Sequence, residues 1–298
     1  KWDGTVVKSG LSSGDIAWEY FTNSKLYFSD GTQYYVYDGT NVTEVAPASG
    51  ADLTNVKKCK VLIQRGQRMF AMGDGTNMIY YSATGEPNNF TSTQAIKAIS
   101  EDLYNPVAAA VFGDALIVFK RNSVYSYTGW DPQNDVQFKP VRVHDGTRSP
   151  KSVCAANDYL MYLGDDAIIA LTVVDEARLS TLRVSPGITD IIESLTNRDK
   201  AVAIFHDGKY LLACCDDNSG INNLVLVGYV SMPFQENDEE TGSSVVFPWT
   251  IIRGWNVASW FKDDDDVLYF GSAVDGMIYK AFDGNNDLDQ PVEVTVTH

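Results

Sequence analysis

Ala258–Asp283, ASWFKDDDDVLYFGSAVDGMIYKAFD, is the stretch whose reading decides the fold. It predicts two short strands, Val267–Phe270 and Met277–Phe282, joined by a tight turn at Val274-Asp275-Gly276. An acidic turn, Asp263–Asp266, leads in. Aromatic and aliphatic residues cluster in both strands, and Asp-Gly supplies the positive φ that a hairpin turn requires. Trp260, Phe261, Leu268, Phe270 and Ile278 are expected to pack between neighbouring units, with Asp263–Asp266 in water at the rim.

Looser copies of this hairpin recur along the chain. Lys25–Phe28 and Tyr34–Tyr37 flank Ser29–Gln33, and Val42–Val45 continues after Asp38–Asn41. Lys60–Ile63, Arg68–Met72 and Met78–Ser82 form a second copy. Val107–Phe112, Ala115–Lys120, Ser123–Thr128 and Phe138–Val143 form a third, and Ser152–Ala155, Tyr159–Leu163 and Ala167–Val173 a fourth. Val202–Phe205, Lys209–Cys214 and Asn223–Val230 make the fifth, with Trp249–Arg253 as its outer strand beyond an acidic insertion, Gln235–Gly242. Lys25, Arg68, Ala115, Tyr159, Lys209 and Val267 mark equivalent places, 43 to 58 residues apart. A four-stranded propeller blade takes about 40 to 50 residues. One such sheet leaves an apolar face bare, and packing sheets around an axis buries those faces.

The expected fold class is therefore all-β: a single β-propeller domain over residues 1–298, with six blades of four antiparallel strands, and five or seven blades as the alternative. Ile188, Ile191, Ile192 and Leu195 fall on one face of a short helix. Val292–Val296 alternates as a strand should and breaks off abruptly. That break, with an opening at Lys1 rather than Met, suggests a domain excised from a longer chain.

Composition limits the function classes. With 298 residues, 44% of them hydrophobic, a large core is affordable, and no apolar run reaches the roughly 18 residues of a membrane span. A formal charge of −16 repels phosphates, so no sequence-specific nucleic-acid binding is expected. Cys59, Cys154, Cys214 and Cys215 lack CxxC spacing and read as free thiols.

Candidate chemistry is sparse. Gly10-Leu11-Ser12-Ser13-Gly14 has the spelling of a nucleophile elbow without the strand-to-helix context that motif needs. His144 and His206 precede Asp-Gly turns, and His298 is terminal. Asp283, Asn285 and Asp287 start like a calcium loop, but Leu288 stands where glycine is required. Asp263–Asp266 is a second acidic turn of the same kind, and a solvated turn is the simpler reading of both. Asn41-Val42-Thr43 and Asn89-Phe90-Thr91 are sequons that matter only in a secretory pathway. No catalytic residue and no cofactor is expected. Partner-binding loops are sought at Pro47–Asn55, Gly85–Thr91 and Gln235–Gly242.

Arg68-Met69-Phe70, followed by Ile79-Tyr80-Tyr81-Ser82, Gly85-Glu86-Pro87 and Phe90, resembles a run found in bacteriophage tail propellers. Val143–Pro150 with Leu160–Gly164 is similar to their blade-linking segment. So are Val184-Ser185-Pro186 with Ile188–Leu195, and Trp249–Tyr279. The family is the tail hub, nozzle and packaged-DNA-stabilisation proteins of tailed phages, and the insertion Gln235–Gly242 departs from its pattern. The resemblance implies a structural, non-catalytic component of the virion, made in the bacterial cytoplasm. Its partners would be other tail or connector proteins in a symmetric oligomeric ring, with a role in assembly, DNA retention or passage. A receptor-binding propeller for host-surface glycans needs instead an exposed aromatic cluster. A polysaccharide-degrading enzyme needs an axial pocket with convergent carboxylates or a metal.

Overall fold

Short runs of Val, Ile, Leu, Tyr and Phe separated by Asp-Gly turns fold into antiparallel meanders because each turn reverses the chain within a few residues. In Asp30-Gly31-Thr32-Gln33, Asp30 Oδ1 accepts the N–H groups of Thr32 and Gln33 at 3.0 and 2.8 Å, while Gly31 takes φ 88°. The same device recurs at Asp38-Gly39-Thr40 and Asp74-Gly75-Thr76. The punctuation expected from the sequence is therefore a hydrogen-bonded Asp side chain followed by a left-handed glycine.

The computed structural model describes residues 6–12, 15–97, 104–129, 131–132, 134, 138–143, 145–175, 178–238, 242–283, 286–287 and 290–291. The protein is a six-bladed β-propeller. Blade one is β1 Ala17–Phe21, β2 Lys25–Ser29, β3 Tyr34–Tyr37 and β4 Val42–Glu44, in spatial order from the axis outward. Blade two is β5 Val61–Arg65, β6 Arg68–Met72, β7 Met78–Tyr81 and β8 Ala95–Lys97. Blade three is β9 Ala108–Phe112, β10 Ala115–Phe119, β11 Ser123–Tyr127 and β12 Phe138–Val143. Blade four is β13 Cys154–Ala156, β14 Tyr159–Leu163, β15 Ile168–Asp175 and β16 Arg178–Arg183, and the helix α1, Thr189–Ser194, follows it.

Blade five holds β17 Val202–His206, β18 Lys209–Cys214 and β19 Leu224–Tyr229. A hairpin of β20 Phe234–Asp238 and β21 Gly242–Val246 comes next, before β22 Trp249–Arg253 closes the blade against β19. Blade six shows β23 Val257–Lys262, β24 Leu268–Ser272 and β25 Ile278–Lys280 among the described residues. A two-residue pair, β26 Asn286–Asp287 and β27 Gln290–Pro291, follows.

Five apolar clusters hold the blades together, each shared by two neighbours. Met69, Ala71 and Leu62 meet Phe21, Tyr27 and Tyr34 between blades one and two, and Phe70, Ile79 and Tyr81 meet Leu116, Val118 and Tyr127 between two and three. Equivalent clusters join three to four, four to five, and five to six. Ile188, Ile192 and Leu195 lie buried in the fourth of these seams, as the one-face spacing predicts. Among the described residues no cluster joins blade six to blade one.

Several strand boundaries differ from those expected. Blade one begins at β1, Ala17–Phe21, ahead of the first strand expected from the sequence, Lys25–Phe28. β8 and β16 are fourth strands that the sequence reading of blades two and four, three strands each, does not contain. These strands escape recognition because they are short or face water on one side, so Arg178–Arg183 alternates too weakly to stand out. In blade six the turn is longer than two residues: Ser272 N–H donates to Met277 C=O at 2.8 Å around residues 273–276. Trp260, Leu268 and Phe270 pack against blade five as expected. Ile278 does not: it is 54% exposed, and Phe261 stacks on Tyr269 on the opposite face of the sheet. Of the expected insertion Gln235–Gly242, residues 235–238 belong to β20 and Gly242 opens β21, strands rather than loop. Val292–Val296 and Lys1–Thr5 lie outside the described residues.

Glu19 sits on β1 with Ala17 and Phe21 on either side in the face turned toward blade two. Burial pushes its carboxyl up to about 7, and the N–H of Gln64 only partly offsets this. The folded state therefore holds the proton more tightly than the unfolded chain. Stability from this group is intact below about pH 4 and is lost as pH rises through about 7. Glu19→Gln should match the wild type near pH 4 and exceed it by about 1–2 kcal/mol at pH 8, after solvent screening. Denaturant midpoints at the two pH values check this, and parallel pH profiles for the two proteins would refute it.

Candidate functional site

The starts of the innermost strands converge on the propeller axis, so the few residues before each strand become neighbours despite their separation in sequence. They line a cavity of about 690 Å³. Asp15 comes before β1, Lys58 and Lys60 before β5, Asn105 before β9, Arg148 and Lys151 before β13, and Asp199 before β17. Gly73, Asp74 and Gly75, from the β6–β7 turn, complete one wall, and Trp18 stands at the edge.

The cavity's polar groups are partly self-compensated. Lys151 Nζ lies 3.0 Å from Asp15 Oδ1. Arg148 Nε lies 3.0 Å from Asp165, which is not part of the lining. Asp74 accepts the Thr76 hydroxyl at 2.6 Å and the Tyr80 hydroxyl at 2.8 Å. Burial, with that hydrogen bond to Asp74, pushes the Tyr80 hydroxyl up to about 12, so it stays a proton donor. Asn105 Nδ2 donates to Gly75 C=O at 2.8 Å. Lys58 and Lys60 are exposed and have no carboxylate partner among the described residues. The lining thus carries four cationic side chains against three carboxylates, in a chain of formal charge −16. That reversal of sign is local, and a water-filled concavity strengthens its effect on an approaching anion.

The residues singled out from the sequence lie elsewhere. Ser12 is no elbow nucleophile: its hydroxyl donates to Asp30 C=O at 2.8 Å, tying the lead-in segment to blade one. Asp263 accepts the N–H groups of Asp265 and Val267 in an exposed turn, and Asp266 pairs with Lys262 at 2.6 Å. Asp283 pairs with Lys280 at 3.2 Å. Asn285 lies outside the described residues, and Asp287 falls in β26, where only the backbone is described. Among the described residues no three His, Cys, Asp or Glu side chains cluster as a metal site would need. His144 and His298 lie outside the described residues. His206 is mostly buried at the end of β17, with Nδ1 3.8 Å from Asp266. The four thiols are free. Pro47–Asn55 and Gly85–Thr91, sought as partner loops, are bonded to each other: Ala48 N–H donates to Asn88 C=O at 3.1 Å and Asp52 N–H to Phe90 C=O at 2.6 Å.

The cavity residues went unrecognised because no local motif unites them. Their common signal is phase: Asp15, Lys58, Asn105, Lys151 and Asp199 each fall two or three residues before an inner strand. β1, with a carboxylate and two exposed aromatics, lacks the apolar run that would mark the first of these positions.

A scan against protein-family models returns no match, and a search of curated protein sequences returns none. Solved structures do share the fold. Selenomethionine-substituted virginiamycin B lyase from Staphylococcus aureus aligns with a TM-score of 0.54 at 10% identity, covering 96% of this chain and 88% of that one. The extracellular domain of a hybrid two component system from B. thetaiotaomicron aligns at 0.50 and 9% identity, over 96% of this chain and 35% of that one. At such identity the likeness establishes the β-propeller and transfers no residue. It does overturn one expectation. A chain that is no enzyme was expected, from the sparse candidate chemistry and from the resemblance, whereas the same fold over nearly this whole length belongs to a lyase. The phage-tail resemblance finds no counterpart in these alignments.

Proposed function

We propose that the axial cavity binds an acidic polysaccharide, with cleavage of that chain as the activity it serves. The observation that carries this reading is the pair Lys58 and Lys60, exposed and without a carboxylate partner among the described residues, in the lining of a cavity of about 690 Å³ in a strongly acidic protein. A neutral sugar gains nothing from two lysines, and a nucleic-acid duplex meets the repulsion of the whole molecule. A carboxylated or sulfated sugar chain is thin enough to enter and is attracted only at the cavity. Asp15, Asp74 and Asp199 are the carboxyl groups within reach for proton transfer.

Titration of acidic and neutral oligosaccharides at low salt tests binding, and product analysis of the same mixtures tests cleavage. Lys58→Ala with Lys60→Ala should lower affinity for the acidic series at least about tenfold and weaken its salt dependence. Equal affinity of the wild type for neutral and acidic chains would refute the reading.

A second reading has one specific observation in its favour, the run from Arg68 through Phe90 that resembles phage tail propellers. On it the protein is carried in a phage particle made in the bacterial cytoplasm, within a symmetric ring of tail or connector proteins. A gene neighbourhood free of portal, terminase and tail genes would end that reading.

A further inference from the structure

His206 ends β17, the innermost strand of blade five, and faces blade six. Val202 and Ile204 pack into the apolar cluster of that join, and strand alternation turns His206 to the same side. On β23, the innermost strand of blade six, Trp260 packs into the same cluster and donates from Nε1 to Val202 C=O at 3.2 Å, with Lys262 two residues further along. The join is thus apolar along most of its length and turns polar at the strand ends, away from the cavity.

At that polar end His206 Nδ1 is buried and makes no hydrogen bond. A neutral imidazole carries either an N–H or a lone pair there, and either is left unmatched. Asp266 Oδ2 lies 3.8 Å away, just beyond hydrogen-bond range, while Oδ1 of the same carboxylate accepts from Lys262 Nζ at 2.6 Å. That bond with Lys262 holds the Asp266 carboxyl below the ordinary carboxylate range, so it is charged at neutral pH. The other titratable groups packed around β17 already have their own surroundings. Asp207 pairs with Lys209 at 2.6 Å, and Asp263 accepts the amides of its own turn. Tyr210 and Cys214 of β18 face blade four, and burial pushes the Cys154 thiol of β13 up to about 11. Lys151, from Pro150–Ser152, pairs with Asp15 at the cavity.

We infer that His206 and Asp266 form a pH-set latch between blades five and six: when the imidazole takes up a proton, Nδ1–H closes on Asp266 Oδ2 and ties the end of β17 to the β23–β24 turn. Histidine is the side chain whose charge changes in the range of pH 5 to 8. The neutral ring leaves its buried nitrogen unmatched, whereas the charged ring finds an acceptor that Lys262 already holds in place. The latch therefore closes in acid and opens as the pH rises, and the stability it adds follows the same sign. Lys262 also limits it, because an ammonium beside the carboxylate repels an imidazolium. Blade six is the blade whose docking responds.

The test is a double-mutant cycle on the full chain, with His206→Gln, Asp266→Asn and the two together unfolded in denaturant at about pH 5.5 and about pH 8. Asparagine keeps the shape of aspartate and tolerates the left-handed backbone at position 266, φ 59°. The coupling should change the folding equilibrium constant about threefold at the lower pH and vanish at the higher. Each cycle compares variants at one pH, so the titration of Glu19 cancels. Lys262→Met should enlarge the coupling in acid, and salt at about 1 M should shrink it. Amide exchange localises the effect: from the higher pH to the lower, protection of the β23 amides should rise about threefold more in the wild type than in His206→Gln. A coupling equal at the two pH values would make the pair a fixed polar contact, and no coupling at either would leave Asp266 a partner of Lys262 alone. Either result overturns the inference, as does β23 protection that responds to pH alike in the wild type and His206→Gln.

Discussion

Replacing Gly146 with alanine is expected to destabilise the propeller by about 3–5 kcal/mol. Gly146 is buried in the segment that carries the chain from blade three to blade four, where it presses on the β10–β11 turn. A Cβ built there would lie 2.0 Å from the carbonyl oxygen of Lys120, 2.6 Å from the nitrogen of Ser123 and 2.9 Å from the carbonyl carbon of Arg121. All three are backbone atoms, so no side chain can rotate out of the way. Moving the segment instead would break the bond from Thr147 N–H to Lys120 C=O, 2.9 Å, and strain that from the Thr147 hydroxyl to Leu163 C=O, 2.7 Å. These bonds fasten the two blades. Thermal unfolding of Gly146→Ala should shift the midpoint down by at least about 6 °C. A shift within 2 °C, by about the same scale, would show that the close approach is not rigid.

The second large effect is expected at Arg65, at the end of β5 and only 7% exposed. Its Nε, Nη1 and Nη2 donate to the carbonyls of Asp114, Gly129 and Thr128 at 2.8, 2.6 and 2.9 Å, and its guanidinium lies 5.2 Å from the ring of Tyr127. One side chain of blade two thus satisfies three backbone acceptors of blade three. Burial pulls its pKa down from the usual arginine range, but arginine stays charged in proteins. Arg65→Met keeps the volume and removes every donor, leaving the buried Gly129 carbonyl and the part-buried carbonyls of Asp114 and Thr128 without the guanidinium. About 3 kcal/mol should be lost. Lysine cannot span the same fork, so Arg65→Lys should recover less than half of the loss. Denaturant unfolding measures both variants, and a lysine variant as stable as the wild type would exclude the three-pronged account. Arg198 plays a similar part later in the chain, donating to Gly164 C=O at 3.0 Å and Asp165 C=O at 2.7 Å.

Repetition made the architecture legible. The Asp-Gly turns at Asp30, Asp38 and Asp74 carry their own mechanism, an Asp side chain bonded to the next amides, so turn spelling gave blade spacing directly. Middle strands such as Ala115–Phe119 and Leu224–Tyr229 are buried on both faces or nearly so, and their continuous apolar runs were readable for the same reason. Inner and outer strands were harder. Ala17–Phe21 holds a carboxylate and two exposed aromatics, and Arg178–Arg183 is half polar, because a strand at the axis or the rim has water on one side. Ile278 was misplaced for a related cause, since β25 is the last described strand of its blade. The cavity was illegible in a deeper sense. Asp15 and Lys151 meet at 3.0 Å only because three intervening blades bend the chain back around an axis. Neither residue's surroundings in sequence hint at that distance.

Among the described residues five apolar clusters each join two successive blades, so blades two to five are stabilised from both sides. In a chain of modules where each stabilises the next, interior modules have two neighbours and terminal ones a single neighbour, so cooperativity fades toward both ends. Such an array propagates order from the middle outward through contacts between successive blades, which spares folding the entropic cost of closing the full ring before any stabilising contact forms.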